Sequence, residues 1–165
     1  MDLTAHCLTM HRYHQWAYGR LYESVRALTE GEYRRDVGLF FGSVHACLNH
    51  LLLVDRVWLG RLNGQPAPYT ALDQEVEPDR ATLEQAIHAQ CDEWLAFLER
   101  VPAERFQTMQ PYRSLAGQAF ELPFASLVLH VPNHGTHHRG QISAALTQLG
   151  IEAPVMDLPY FLLDT

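Results

Sequence analysis

The chain has 165 residues, 47% hydrophobic and 19% charged, with a formal net charge of −7 when its histidines are neutral. That length suits one domain, residues 1–165, able to bury about 70% of its unfolded surface without covalent staples. The acidic balance lacks the clustered lysine and arginine that phosphates require, so neither nucleic acid nor an anionic membrane is an expected partner.

Cys7, Cys47 and Cys91 are few, odd in number and unpatterned. They argue against a disulfide framework and for a reducing compartment. No basic segment leads into an apolar run near Met1, and no apolar stretch reaches 18 residues, so the expected location is the cytoplasm.

The first predicted helix covers residues 3–29. Leu3, Cys7, Met10, His14, Ala17, Leu21, Val25 and Leu28 recur at steps of three and four, the stripe of a bundle helix. Gly31 and the charged stretch from Glu30 to Asp36 break the pattern. A second helix starts at Ser43, a good N-cap, and runs to Leu62 before Asn63-Gly64 ends it. Pro66, Pro68 and Pro78 make 65–79 a long loop. A third helix spans 81–100, with Asp79 or Thr82 near its start, a buried stripe through Leu83, Ile87, Cys91 and Leu98, and Pro102 as its stop. Residues 105–122 mix aromatic and polar positions around Gly117 and read as a short hairpin or ordered loop. Pro123 opens a fourth helix that continues to Leu149, with Gly150 as its cap. The apolar tail from Ala153 onward packs over the bundle. Four long amphipathic segments with little strand signal predict an all-α fold, a four-helix bundle whose 64–80 and 101–122 connections are long enough to cross it.

Histidine is the compositional outlier, with ten residues, four of them between 130 and 138. His130, His134 and His138 stand at i, i+4 and i+8, so His134 and His138 lie one turn apart on the same helix face. Neutral imidazoles in that register can share one ion. His137 is swung 100° away. His130 extends the row, but Pro132 intervenes and makes its position unreliable by helical arithmetic. A rigid site needs a ligand from another element. His50 is the distant candidate, because Ala46, Cys47, Leu53, Val54 and Val57 around it on the second helix are apolar or small. The set is therefore His50, His134 and His138, with His130 as an outside candidate. His14 lies on an inward stripe and reads first as a hydrogen-bonded core residue, second as a group near the metal.

Three protein ligands leave a coordination position open, as catalytic sites do. All-nitrogen ligation suits Zn, Ni, Fe or Cu. Gly135 stands where a zincin would carry Glu, no Glu-x-x-His occurs, and no Cys-x-x-Cys pair, phosphate loop or Gly-x-Ser-x-Gly elbow is present. Zincin-type proteolysis and di-iron chemistry are thereby disfavoured. Arg139 and Asp55 read as a helix-surface or interhelical ion pair, and Gln141 as a hydrogen-bonding packing residue.

The segments Phe40-Phe41-Gly42-Ser43-Val44-His45, Leu48-Asn49-His50, Asp55-Arg56-Val57-Trp58-Leu59, Asn133 to Gln141 and Asp157-Leu158-Pro159-Tyr160-Phe161 together resemble the DinB/YfiT-like superfamily of metalloproteins nearly end to end. The resemblance implies a four-helix bundle, often a homodimer, in which three histidines bind a divalent metal; the motif positions fall on His50, His134 and His138. It further implies a metal-dependent transferase that uses a low-molecular-weight thiol and a small-molecule electrophile. Two positions depart from the pattern: His14 stands where Asn is common, and Pro132 where an ordinary helix former is. A metal-dependent hydrolase and a non-catalytic metal-binding bundle are the alternative readings. The family name suggests a link to DNA damage, but the acidic charge gives no support to direct DNA contact.

Overall fold

The computed structural model describes residues 2–65 and 68–164. Four long helices form the bundle: α1 (Leu3–Val25), α3 (Val44–Asn63), α4 (Arg80–Leu98) and α5 (Phe124–Gln148). A five-residue helix, α2 (Glu30–Arg34), a 3-10 turn over Ala103–Gln107, the hairpin β1 (Met109–Arg113) with β2 (Ala119–Pro123), and the terminal α6 (Leu158–Asp164) complete it. The helix starts follow local chemistry. Asp2, Ser43 and Asp79 each accept a hydrogen bond from a first-turn amide, and Gly64 and Gly150 adopt φ of 76° and 77° past the ends of α3 and α5.

The first helix is shorter than its periodicity predicts. It ends at Val25, and Thr29 starts α2 with a reciprocal capping box to Glu32. The hairpin is present, with Met109 opposite Pro123 and Arg113 opposite Ala119. The tail forms α6, whose Phe161 packs on the Tyr13 and Trp16 rings of α1.

α1 packs against α4 and α5, and α3 packs against the same two helices, so α1 and α3 occupy one diagonal. α1 and α5 run one way, α3 and α4 the other. The chain must therefore return along the bundle before α4, and residues 68–79 do so beside α3. Arg56 Nη1 donates to the Tyr69 hydroxyl, and Asn49 Oδ1 accepts from the amides of Val76 (2.7 Å) and Glu77 (2.8 Å).

Among the described residues the core has two large apolar clusters and a small one of Tyr13, Ala17 and Phe161. Of the large two, one is centred on Tyr18, Leu21, Leu48, Leu51, Ile87 and Ile142; the other on Leu53, Trp94, Phe106, Phe124, Val128 and Val131. Between them lies a layer of buried polar side chains: His11 and His14 from α1, His50 and Asp55 from α3, and His138 and Arg139 from α5. Such groups belong in an interior only with partners.

Pro132 sits inside α5 without ending it. Lacking an N–H, it leaves the carbonyl four residues earlier, at Val128, without its helical donor. His11 Nε2 supplies one, donating to that carbonyl at 3.1 Å. His11→Leu is expected to cost about 1–3 kcal/mol, the penalty for a buried unpaired acceptor. The cost should shrink in a Pro132→Ala background, where the backbone amide returns. Urea denaturation of the four proteins checks this; equal costs in both backgrounds would refute the compensation.

Candidate metal centre

His50 from α3 and His134 and His138 from α5 each aim one ring nitrogen at a common point, with the three donor atoms all within 4.8 Å of one another. Ring centroids lie 5.1 Å apart for His50 and His134, 4.7 Å for His50 and His138, and 4.5 Å for His134 and His138. The Nε2 atoms of His50 and His134 are 3.2 Å apart. Two nitrogens about 2.05 Å from a tetrahedral ion stand about 3.3 Å apart, so this spacing fits a shared ion. Among the described residues no fourth His, Cys, Asp or Glu joins the cluster.

The second nitrogen of two rings fixes which atom faces inward. His50 Nδ1–H donates to the Leu72 carbonyl at 2.8 Å, leaving Nε2 with its lone pair free. His138 Nδ1–H donates to Gln141 Oε1 at 2.9 Å, and the Gln141 amide donates in turn to His137 Nε2 at 3.1 Å. Phe41 stacks on His50 at a centroid separation of 3.9 Å and fixes the plane of the ring. The Asn49 clamp holds the loop that carries Leu72. Burial lowers the pKa of all three histidines, His134 to about 3, so the rings are neutral donors at pH 7.

His134 falls where helical geometry places it: α5 runs through Pro132 unbroken, with His11 donating to the carbonyl the proline leaves without its helical partner. His137 is exposed and off the site, as its angular position requires. His130 is outside the cluster: its ring lies 5.6 Å from His134 and 5.1 Å from Trp58.

His14 serves a different group. It is fully buried, and Arg139 Nη1 donates to its Nδ1 at 2.8 Å. Arginine can only donate. His14 Nδ1 must then carry a lone pair, and its Nε2–H donates to Asp55 Oδ2 at 3.0 Å. The ring is neutral, and burial together with Arg139 keeps its pKa well below the usual value. Asp55 and Arg139 are thus neither on the surface nor directly paired; a neutral imidazole relays between them. Gly135 is required by this arrangement. A Cβ there would lie 2.3 Å from His14 Cε1 and 2.6 Å from Arg139 Nη1. The glycine that replaces the zincin glutamate lets α1 approach between two of the clustered histidines.

This layer makes stability depend on pH. His11 has its pKa lowered to about 4, mainly by burial. An unfolded histidine takes a proton near pH 6.5, so between that value and the folded pKa the unfolded chain binds more protons and stability is lost as pH falls. Asp55 opposes this: burial raises its pKa to about 7, so its contribution is lost as pH rises to 7. The lowered histidines, His11, His14, His50, His130, His134 and His138, outnumber it. The metal-free protein is expected to melt about 5 °C or more lower at pH 5 than at pH 7. Calorimetry in the presence of a chelator checks the sign.

The fold and the cluster together define a helical bundle in which two facing helices bring together three histidine donors that could hold one ion. The chain belongs to the DinB family, whose model matches residues 1–164. It is 23% identical over 162 residues to Protein DinB of Bacillus subtilis (strain 168), covering 94% of this chain and 93% of that protein. A crystal structure of a DinB-like protein from Bacillus cereus ATCC 10987 superposes with a TM-score of 0.62 at 17% identity, covering 85% of this chain and 90% of that one. At that identity the likeness speaks for the fold. Among the described residues no helix is long and apolar enough to cross a membrane.

Proposed function

We propose that the chain binds a divalent ion (Zn, Ni or Fe) through Nε2 of His50, His134 and His138, and that it transfers a low-molecular-weight thiol to a small electrophile. The observation carrying this reading is the convergence of three neutral imidazoles from two helices with no fourth protein donor among the described residues. An ion held there supplies Lewis acidity, lowering the pKa of a thiol at its open position.

The residues around the cluster favour transfer over hydrolysis. Hydrolysis needs a general base for water, and among the described residues no carboxylate joins the cluster. Asp55, the buried acid nearest in sequence to His50, is committed to His14. A thiol cosubstrate brings its own nucleophile and asks less of the protein. Leu72 and Gln141 hold the donor atoms inward, and Phe41 shields one face of His50. In this reading the three buried, unpaired cysteines are core thiols in a reducing cytoplasm, and the active form is a homodimer.

The test is turnover of a chromogenic electrophile with a panel of thiols, with and without added metal. Rates that require both thiol and metal are expected. Metal-dependent ester or amide cleavage without thiol would favour the hydrolase. A large loss of melting temperature on metal removal, with no turnover of any kind, would favour a structural ion joining α3 to α5.

A further inference from the structure

His50, Val54, Val57 and Arg61 fall on one stripe of α3, at i, i+4, i+7 and i+11. His50 is at the metal centre. At the other end of the stripe a cavity of about 450 Å³ opens between α3 and the hairpin, lined by Val57, Arg61, Tyr112, Arg113 and Ser114 among others. Rings connect the two ends. His134 lies 5.6 Å from His130, His130 lies 5.1 Å from Trp58, and Trp58 lies 5.1 Å from Tyr112.

Arg61 is the unusual residue here. Its guanidinium carbon sits 4.6 Å from the centroid of Trp58 and 5.4 Å from that of Tyr112. It is half-buried, yet among the described residues it forms no ion pair and no hydrogen bond. A guanidinium held against two aromatic faces has a fixed plane, with its donor edge still available for bidentate contact. Half-buried, it has given up part of its hydration, which an anion at that edge would replace. Arg113, by contrast, is engaged with the Gly117 carbonyl.

We propose that Arg61 is the docking point for an anionic group, a carboxylate or a phosphate, on the small molecule whose other end reaches the metal centre. This rests on the reading of that centre given above. Along the helix axis the His50 and Arg61 Cα atoms are about 16 Å apart, and the arginine side chain leans back toward the helix N-terminus. The geometry therefore selects a molecule of about tripeptide length, about 10 Å when extended, with its anion remote from its reacting atom.

The test is calorimetric titration of the cobalt-loaded full chain with glutathione and with glutathione diethyl ester, for the wild type, Arg61→Gln and Arg61→Lys. The acid is expected to bind the wild type about tenfold tighter than the ester. Arg61→Gln should erase that ratio, and Arg61→Lys should restore part of it. The ester is the folding control, since its affinity should be equal in all three proteins. Competition by inorganic phosphate and by acetate at matched ionic strength separates the two headgroups, the stronger competitor naming the one preferred. The same acid-to-ester ratio in Arg61→Gln as in the wild type, no binding of either probe, or no competition by either anion would overturn the assignment. The cobalt absorption spectrum reports separately on the centre. If glutathione leaves it unchanged while the Arg61-dependent ratio persists, the thiol reading fails and the anion subsite stands.

Discussion

Arg139→Met is expected to lower the unfolding free energy by about 3–5 kcal/mol, because it strips the only cation from a fully buried relay and leaves Asp55 uncompensated. Arg139 is 1% exposed, and besides His14 it donates to Thr136 Oγ1 and lies over the Tyr18 ring at 5.2 Å. Among the described residues no partner meets Asp55 Oδ1, so the carboxylate has little left to rely on once the guanidinium is gone. For a chain of this length such a loss amounts to about 10 °C in melting temperature. Gly135→Ala should destabilise by a separate route, about 1–3 kcal/mol or more, since both ring nitrogens of His14 are bonded and the ring cannot swing away. Urea denaturation of each variant checks both values; a cost within 0.5 kcal/mol of zero, the range of ordinary surface changes, would contradict the relay.

The second large effect concerns metal affinity. Removing a ligand, as in His50→Ala, His134→Ala or His138→Ala, is expected to weaken zinc binding by more than about 100-fold, beyond the 10- to 100-fold cost typical of residues that only orient a ligand. Gln141→Leu should fall in that lesser range, because it frees the His138 ring without deleting a donor. His130→Ala should leave affinity unchanged, its ring being turned to Trp58. Competition against a chromogenic chelator measures all five. A large loss for His130→Ala, or none for His138→Ala, would replace this ligand set.

Much of this architecture is legible in the sequence. The three- and four-residue periodicity marks the four long helices, and the caps Ser43 and Gly64 lie where the sequence predicts them. The same arithmetic places His134 over His138 and turns His137 away. What escaped was what depends on partners distant in sequence. α2 was obscured by charge, although Thr29 and Glu32 carry a capping signature. The role of His11 is visible only once the Val128 carbonyl, four residues before Pro132, is brought to α1. Asp55 and Arg139 suggested a direct or surface ion pair because sequence shows charge but not burial. His14, set between them, explains why all three are inside. Asn49 holds the loop over His50 through backbone contacts that no spacing rule announces.

The most direct test is anomalous diffraction at the zinc, nickel and iron edges from crystals of the untagged chain, before and after a zinc soak. The expected result is one peak about 2.0–2.1 Å from Nε2 of His50, His134 and His138, with at least one coordination position taken by no protein atom. A soaked crystal with no peak among these three rings, or with the ion held by other side chains, would contradict it.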